Sequence, residues 1–309
     1  MDVLVEVVRS GLVEDRHRGV AVRVDPDGEI LWSMGDPGLT IFPRSANKPF
    51  QTVAMMRAGL PLDGPELALA AGSHSGEPFQ VDAIRAVLAR AGLEESALQT
   101  PPALPKDPEA HRAAVRAGRE PEPVLMECSG KHAAMLLTSV VNDWPIDTYL
   151  DPDHPLQQAI TSTFTELTGA PPDAVGTDGC GAPLLATTLH RLATATARLM
   201  SAASGSDSRQ LLDAMIAHPE YVSGTHRDEL RLMQAVPGLF AKTGAGSVLV
   251  VGLPDGSACA LKIEDGDQRP RFVAMHRILE IAGVEAEILQ ERPPVLGGGK
   301  QVGEIRPAF

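Results

Sequence analysis

Residues 20–35, VAVRVDPDGEILWSMG, and residues 247–263, SVLVVGLPDGSACALKI, are built alike. Each joins an apolar run rich in valine to a second run through a turn of proline, aspartate and glycine. Proline pre-sets φ for the first corner of a turn, and glycine supplies the positive φ of a tight reversal. Asp25-Pro26-Asp27-Gly28 and Pro254-Asp255-Gly256 therefore predict two β-hairpins, one toward each end of the chain. The pattern between them is helical. Val81, Ile84, Val87 and Leu88 share one face of a helix running to about Gly92, and Leu156, Ile160, Phe164 and Leu167 share another that stops near Gly169. Shorter helices are expected after Lys48, after Lys131, and over about 207–217, 227–234 and 272–282. Strands early and late with helices between them predict an α+β fold. One sheet comes from about 1–40 and 240–309, packed against helices, with a mainly helical middle region over about 45–235, all 309 residues forming a single unit. The proline- and charge-rich stretch Pro101–Pro123 reads as an exposed connection, and Gly297-Gly298-Gly299 as a loose tail.

Composition narrows the function. With 27 Lys plus Arg against 40 Asp plus Glu, the formal charge is −13, and no basic cluster could neutralise a run of phosphates. Nucleic acid and anionic membrane are therefore excluded as expected partners. No apolar run approaches the roughly 20 residues of a membrane span. Met1–Gly11 carries Asp2 and Glu6 where a secretory signal needs an uninterrupted apolar stretch, so a cytoplasmic location is expected. Cys128, Cys180 and Cys259 are too few for a disulfide framework. Only six of the 27 basic residues are lysines: Lys48, Lys106, Lys131, Lys242, Lys262 and Lys300. Arginine stays protonated, whereas a lysine in a desolvated site can lose its proton and act as a base or a metal ligand.

Four segments hold chemistry-bearing residues. Arg44-Ser45-Ala46-Asn47-Lys48-Pro49-Phe50-Gln51 contains Ser-x-x-Lys, a pairing in which an amine can deprotonate a hydroxyl. Sixteen serines and six lysines make about 0.3 such spacings expected by chance, so the motif alone decides nothing. Pro49 restricts Lys48 and fits the first helical position, which leaves Ser45 and Lys48 on the entry to a helix. Gly72-Ser73-His74-Ser75-Gly76-Glu77 offers hydroxyls and backbone N–H groups at a helix start, and equally an ordinary cap by Ser75 or Glu77. Glu127-Cys128-Ser129-Gly130-Lys131-His132 and Thr177-Asp178-Gly179-Cys180-Gly181 supply thiols, an amine and a carboxylate suited to Zn²⁺, although the spacing is not a CxxC pair. Ala241-Lys242-Thr243-Gly244-Ala245-Gly246-Ser247 puts a lysine at the start of what reads as an inner strand, followed by small residues that let a ligand approach. No Walker, dinucleotide or HExxH pattern occurs, so no organic cofactor is expected.

In this order RSANKPFQ, SHSGE, ECSGKHAAML, TDGCGAP and AKTGAGSV resemble the class 3 (rhizobial-type) L-asparaginases, over about two thirds of the chain. The resemblance implies a serine β-lactamase and penicillin-binding-protein-like architecture in a single catalytic unit. It implies hydrolysis of L-asparagine to L-aspartate and ammonia, and a homodimer. Catalytic Ser-Lys pairs fall on Ser45 with Lys48 and on Ser73 with Lys242. Substrate binding falls on Arg44, His74, Glu77 and Asp178, and a Zn²⁺ site on Cys128, Lys131 and Cys180, structural or substrate-orienting. Lys262 is the alternative to Lys242; the Thr-Gly that follows Lys242 favours the latter. Other expectations are a related serine amidohydrolase acting on glutamine or a β-lactam, and a non-catalytic amino-acid-binding protein of the same fold.

Overall fold

A computed structural model describes all 309 residues. The chain begins with β1 (Asp2–Arg9), β2 (Leu12–Val24), β3 (Ile30–Met34) and β4 (Thr40–Ile41). Six helices follow: α1 (Lys48–Arg57), α2 (Gly64–Ala70), α3 (Pro78–Arg90), α4 (Pro108–Arg116), α5 (Ser129–Val141) and α6 (Pro155–Thr168). Next come β5 (Val175–Thr177), β6 (Pro183–Leu185), β7 (Thr187–Thr188), α7 (Leu189–Met200), α8 (Asp207–Ala217), α9 (Pro219–Val222) and α10 (Asp228–Ala235). The chain closes with β8 (Phe240–Gly244), β9 (Val248–Gly252), β10 (Ala258–Ile263), α11 (Arg269–Ile281), β11 (Pro294–Gly297) and β12 (Lys300–Pro307). Two compact units result. One comprises Met1–Ala46, Thr187–Ser201 and Arg231–Phe309, the other Asn47–Ala186 and Ala202–Leu230.

The first unit is built on an antiparallel sheet in the order β11-β12-β1-β2-β10-β9-β8, with β3 also paired to β2. The α+β arrangement holds, the sheet being drawn from both chain ends. Both predicted hairpins are present. Asp25 closes the first by accepting at Oδ1 from the N–H groups of Asp27 (3.0 Å) and Glu29 (2.8 Å), a local bond that competes with straight strand backbone. β9 and β10 are buried on both faces, which explains runs without alternation such as Val248–Val251. Helices α7 and α11 pack on this sheet. α7 therefore belongs with the strands, not with the helical middle region.

The second unit is helical. α6 carries the predicted stripe Leu156, Ile160, Phe164 and Leu167, all buried, and ends at Gly169 with φ 80°, a conformation that glycine adopts without a Cβ penalty. Phe50 on α1 meets Phe164 edge-on, with ring centroids 6.4 Å apart. Truncating either ring costs about 3–5 kcal/mol and would loosen the helix that carries Lys48.

Three expectations are corrected. Pro101–Pro123 is not merely a connection, because α4 lies within it: Asp107 accepts from the N–H groups of Glu109 and Ala110, and Pro108 opens the helix. Proline at the first turn starts a helix as readily as it breaks one. Gly297-Gly298-Gly299 is not a loose tail. It is the tip of the β11–β12 hairpin, and β12 pairs with β1 from Val5↔Pro307 to Arg9↔Gly303. β8 is an edge strand of the sheet, not an inner one.

Candidate active site

In the helical unit three segments meet at one amine. Lys48 is the first residue of α1 and is buried, with Pro49 behind it in the opening turn. Its Nζ donates to Gly72 O at 2.6 Å, and lies 3.0 Å from Ser73 Oγ and 3.5 Å from Glu127 O. The Ser73–Glu77 segment is pinned by backbone bonds, Ser73 N to Val222 O (2.7 Å) and His74 N to Glu127 O (3.2 Å). His74 Nδ1 accepts from Gly76 N, so Nε2 carries the proton and donates to Ser129 Oγ at 2.7 Å; Ser129 in turn donates to Val124 O. Burial lowers the His74 pKa to about 3. Both ring nitrogens are thus committed within the protein. Glu77 caps α3 as one of the two predicted alternatives. Its carboxylate accepts from Thr225 N (2.7 Å) and Thr225 Oγ1 (2.6 Å), while Gln80 Oε1 accepts from Glu77 N.

A second cluster of the same unit joins the start of α5 to the turn between β5 and β6. Cys128 is the N-cap of α5 and Lys131 lies in its first turn; both are buried. Cys180 sits in a loop closed by Gly181 N to Asp178 O and Asp178 N to Ala182 O, which brings its sulfur to Lys131 Nζ at 3.4 Å and to Asp178 Oδ2 at 3.8 Å. The Cys180 thiol is pushed strongly down by the bond from Cys128, aided by Lys131 and His132 and opposed by burial. Cys128 is pushed well up by the same bond and by burial. Lys131 is raised: burial works against its charge, and Cys180, Cys128 and Asp178 outweigh it. The shifts thus favour the anionic form at Cys180, the thiol at Cys128 and the charged form at Lys131. Two sulfurs and an amine in contact are a donor set that suits Zn²⁺.

The sheet unit holds the other predicted residues. Ser45, half-buried, lies on the 3₁₀ turn Arg44–Asn47 that runs directly into α1, and Arg44 has φ 53°. This turn passes close to β8. A Cβ at Gly244 would stand 2.2 Å from Pro43 O and 3.3 Å from Ala46 N, so only glycine permits the approach. Lys242, on the same strand, is fully buried and donates to Thr243 O at 3.0 Å. Lys262 is not on the neighbouring strand: β9 lies between them, with Val250 opposite Lys242 and Val248 opposite Lys262. The Lys262 amine donates to Gly246 O at 2.6 Å and to Ile263 O, which ties it to the turn after β8. Sequence patterns contain no sign of Glu127 O or Gly72 O as partners of Lys48, because carbonyls belong to every residue. Tyr149 and Gln99, which support the second cluster, lie outside every motif.

No curated protein matches the chain. Among solved structures it is similar to a β-lactamase from Mycobacterium bovis, at 14% identity and TM-score 0.45 over 81% of this chain and 88% of that one. It is also similar to Mglu in its tris and glutamate form, at 15% identity and TM-score 0.49 over 95% of this chain and 65% of that one. The chain thus spans less than two thirds of Mglu's length. No helix is long and apolar enough to cross a membrane. The motif order from Arg44 to Ser247 agrees with a match to the L-asparaginase II family that extends over residues 5–307, and the chain belongs to that family, whose members are hydrolases acting on amides.

Proposed function

We propose that the chain, working as a single catalytic unit, hydrolyses L-asparagine to L-aspartate and ammonia, with Ser45 as nucleophile and Lys48 as its base. The observation that carries this is the setting of the Lys48 amine. Its three neighbours are two carbonyls and a hydroxyl, and none is a carboxylate. The amine donates to the Gly72 and Glu127 carbonyls and to Ser73 Oγ, so no anion bonded to it holds its proton in place, and as a free amine it can accept a proton from a hydroxyl. Ser45, on the half-exposed turn immediately before α1, attacks the side-chain amide carbon while its proton passes to Lys48. Backbone N–H groups stabilise the oxyanion, the amide nitrogen takes a proton, and ammonia leaves. Water then attacks the β-aspartyl ester, releasing aspartate and restoring the Ser45 hydroxyl. Ser73, bonded to Lys48, and Lys242 orient the pair and relay protons. Lys242 is preferred to Lys262 because of the Thr-Gly that follows it.

We assign Arg44 and Asp178 to the substrate's charged groups. His74 and Glu77, whose polar atoms are engaged by Gly76, Ser129 and Thr225, shape the segment that carries Ser73. Cys128, Lys131 and Cys180 would hold Zn²⁺; when bound, the ion supplies positive charge for the substrate carboxylate. Both the Cys128 thiol and the Lys131 ammonium must lose a proton for this, so metal uptake weakens as pH falls. The test is ammonia release from L-asparagine and from L-glutamine, each with and without a chelator. Asparagine turnover supports the proposal, and turnover of glutamine alone would replace it with the neighbouring amidohydrolase reading.

A further inference from the structure

The segment that carries Ser73 lies against a stretch that no motif marks. Residues 219–226, PEYVSGTH, comprise α9 and the turn after it. Ser73 N donates to Val222 O at 2.7 Å, Ser75 Oγ to Ser223 O at 2.7 Å, and Gln80 Nε2 to Glu220 O at 2.8 Å. Phe79 meets Tyr221 edge-on, with ring centroids 4.9 Å apart. Two glycines let the two backbones approach. A Cβ at Gly72 would stand 2.6 Å from Tyr221 O and 2.9 Å from Val222 O. One at Gly224, where φ is 125°, would stand 2.6 Å from Ser75 Oγ and 2.7 Å from Glu77 Oε1.

This contact reaches the surroundings of the Lys48 amine. Gly72 O and Ser73 Oγ, at 2.6 and 3.0 Å, are two of its three hydrogen-bonding neighbours, and both belong to the residues pressed against Tyr221 and Val222. The far end of the stretch is clamped. The Glu77 carboxylate, 8% exposed, accepts from Thr225 N with one oxygen at 2.7 Å and from Thr225 Oγ1 with the other at 2.6 Å. His226 Nδ1 lies 2.8 Å from Asp107 Oδ2 just beyond. Two donors of one residue on the two oxygens of one carboxylate fix both partners in direction as well as distance. Removing the hydroxyl leaves a carboxylate oxygen without its donor.

We propose that Thr225 and Glu77 are positioning residues: their two-point clamp seats residues 219–226 on Gly72 and Ser73, and so fixes the Gly72 carbonyl and the Ser73 hydroxyl where the Lys48 amine meets them. The kinetic consequence rests on the reading of Lys48 as the base, whereas the seating is a property of the folded chain whatever its substrate. Reacting groups tolerate little displacement, a shift of about 1 Å costing about 100-fold in rate.

The test has two arms. Thr225 is exposed, so Thr225→Val deletes the hydroxyl without opening the core, and Thr225→Ser keeps it. In the first arm, amide hydrogen exchange of the full-length protein is read by NMR at Ser73, whose N–H is held by Val222 O, and along α6, which monitors global opening. Thr225→Val should lose about tenfold or more in protection at Ser73 while α6 stays within about threefold, and Thr225→Ser should match wild type. Wild-type protection at Ser73 in Thr225→Val, or an equal loss at Ser73 and along α6, overturns the proposal. In the second arm, ammonia release from L-asparagine by Thr225→Val should fall about tenfold or more in kcat with KM within about threefold, and Thr225→Ser should keep the wild-type kcat. A wild-type kcat for Thr225→Val, or a Ser variant as slow as the Val variant, overturns the link to Lys48. Absence of ammonia release from the wild-type protein would overturn the asparaginase reading instead, and the exchange arm would still decide the clamp.

Discussion

Lys48 and Lys131 belong to the same helical unit, open α1 and α5, and are equally hidden from water, at 1% and 2% exposure. Their neighbourhoods differ. Lys48 faces two carbonyls and a hydroxyl, whereas Lys131 faces two sulfurs and a carboxylate. Burial is the same at both places, so the difference between them lies in the partners. An amine among neutral acceptors can give and take a proton during turnover. An amine among anions is held charged until something stronger, a metal ion, replaces its proton. On the function proposed above, two lysines in the first turns of two helices acquire opposite uses from what the rest of the chain brings to them.

The largest effect that would break this contrast is at the proposed nucleophile and its base. Ser45→Ala should reduce ammonia release from asparagine by about 10⁴-fold with the circular dichroism spectrum unchanged, and retained turnover would remove Ser45 from the mechanism. Lys48→Arg should lose about 10²–10⁴-fold in kcat, nearly as much as Lys48→Ala, because arginine keeps the charge but accepts no proton. At Lys131 the same replacement should separate charge from ligation. Lys131→Arg should stay folded, since the cation beside Cys180 is preserved, yet retain little zinc after dialysis. Cys128→Ala and Cys180→Ala should likewise lose bound zinc and raise KM by about tenfold while kcat changes less, and metal content equal to wild type would reject the site.

A smaller effect tests the burial that both clusters share. His74 and His132 are held at about 3 and about 4 by burial, below the ordinary 6.5. Their folded pKa values lie below the unfolded one, so the unfolded chain binds more protons between the two. The stability they confer is complete above about pH 6.5 and is lost as pH falls toward 4. The urea midpoint should drop from pH 7.5 to about 4.5, and Ser129→Ala should not remove the drop. Least of all, Lys262→Met should leave kcat within about twofold and cost about 1 kcal/mol through the turn carbonyls it releases. A large loss of turnover in that variant would exchange the roles of Lys242 and Lys262.

Much of the secondary structure is written locally. Asp25-Pro26-Asp27-Gly28 closes its hairpin with bonds that span four residues or fewer, and Leu156 to Leu167 needs only its own spacing and Gly169 to define α6. The local code fails where one residue type serves two ends. Pro108 after Asp107 starts a helix inside a stretch whose prolines otherwise suggest a connection, and three consecutive glycines make a hairpin tip as easily as a tail. β1 pairs locally with β2, but its other edge is filled by β12 from the far end of the chain, which no local pattern states.

Sequence alone determined which groups are available: a Ser-x-x-Lys at a helix entrance, two thiols and a lysine beside glycine turns, an acidic chain with few lysines, and the order of motifs that marks the family. The three-dimensional structure decided what each group meets. Lys48 finds Gly72, Ser73 and Glu127 at separations of 24 to 79 residues, and Cys180 finds Lys131 across 49. Backbone preference acts over a few residues and can be read in order along the chain. Desolvation and hydrogen-bond direction are set by neighbours that only folding assembles, and they decide whether an amine works as a base or as a ligand.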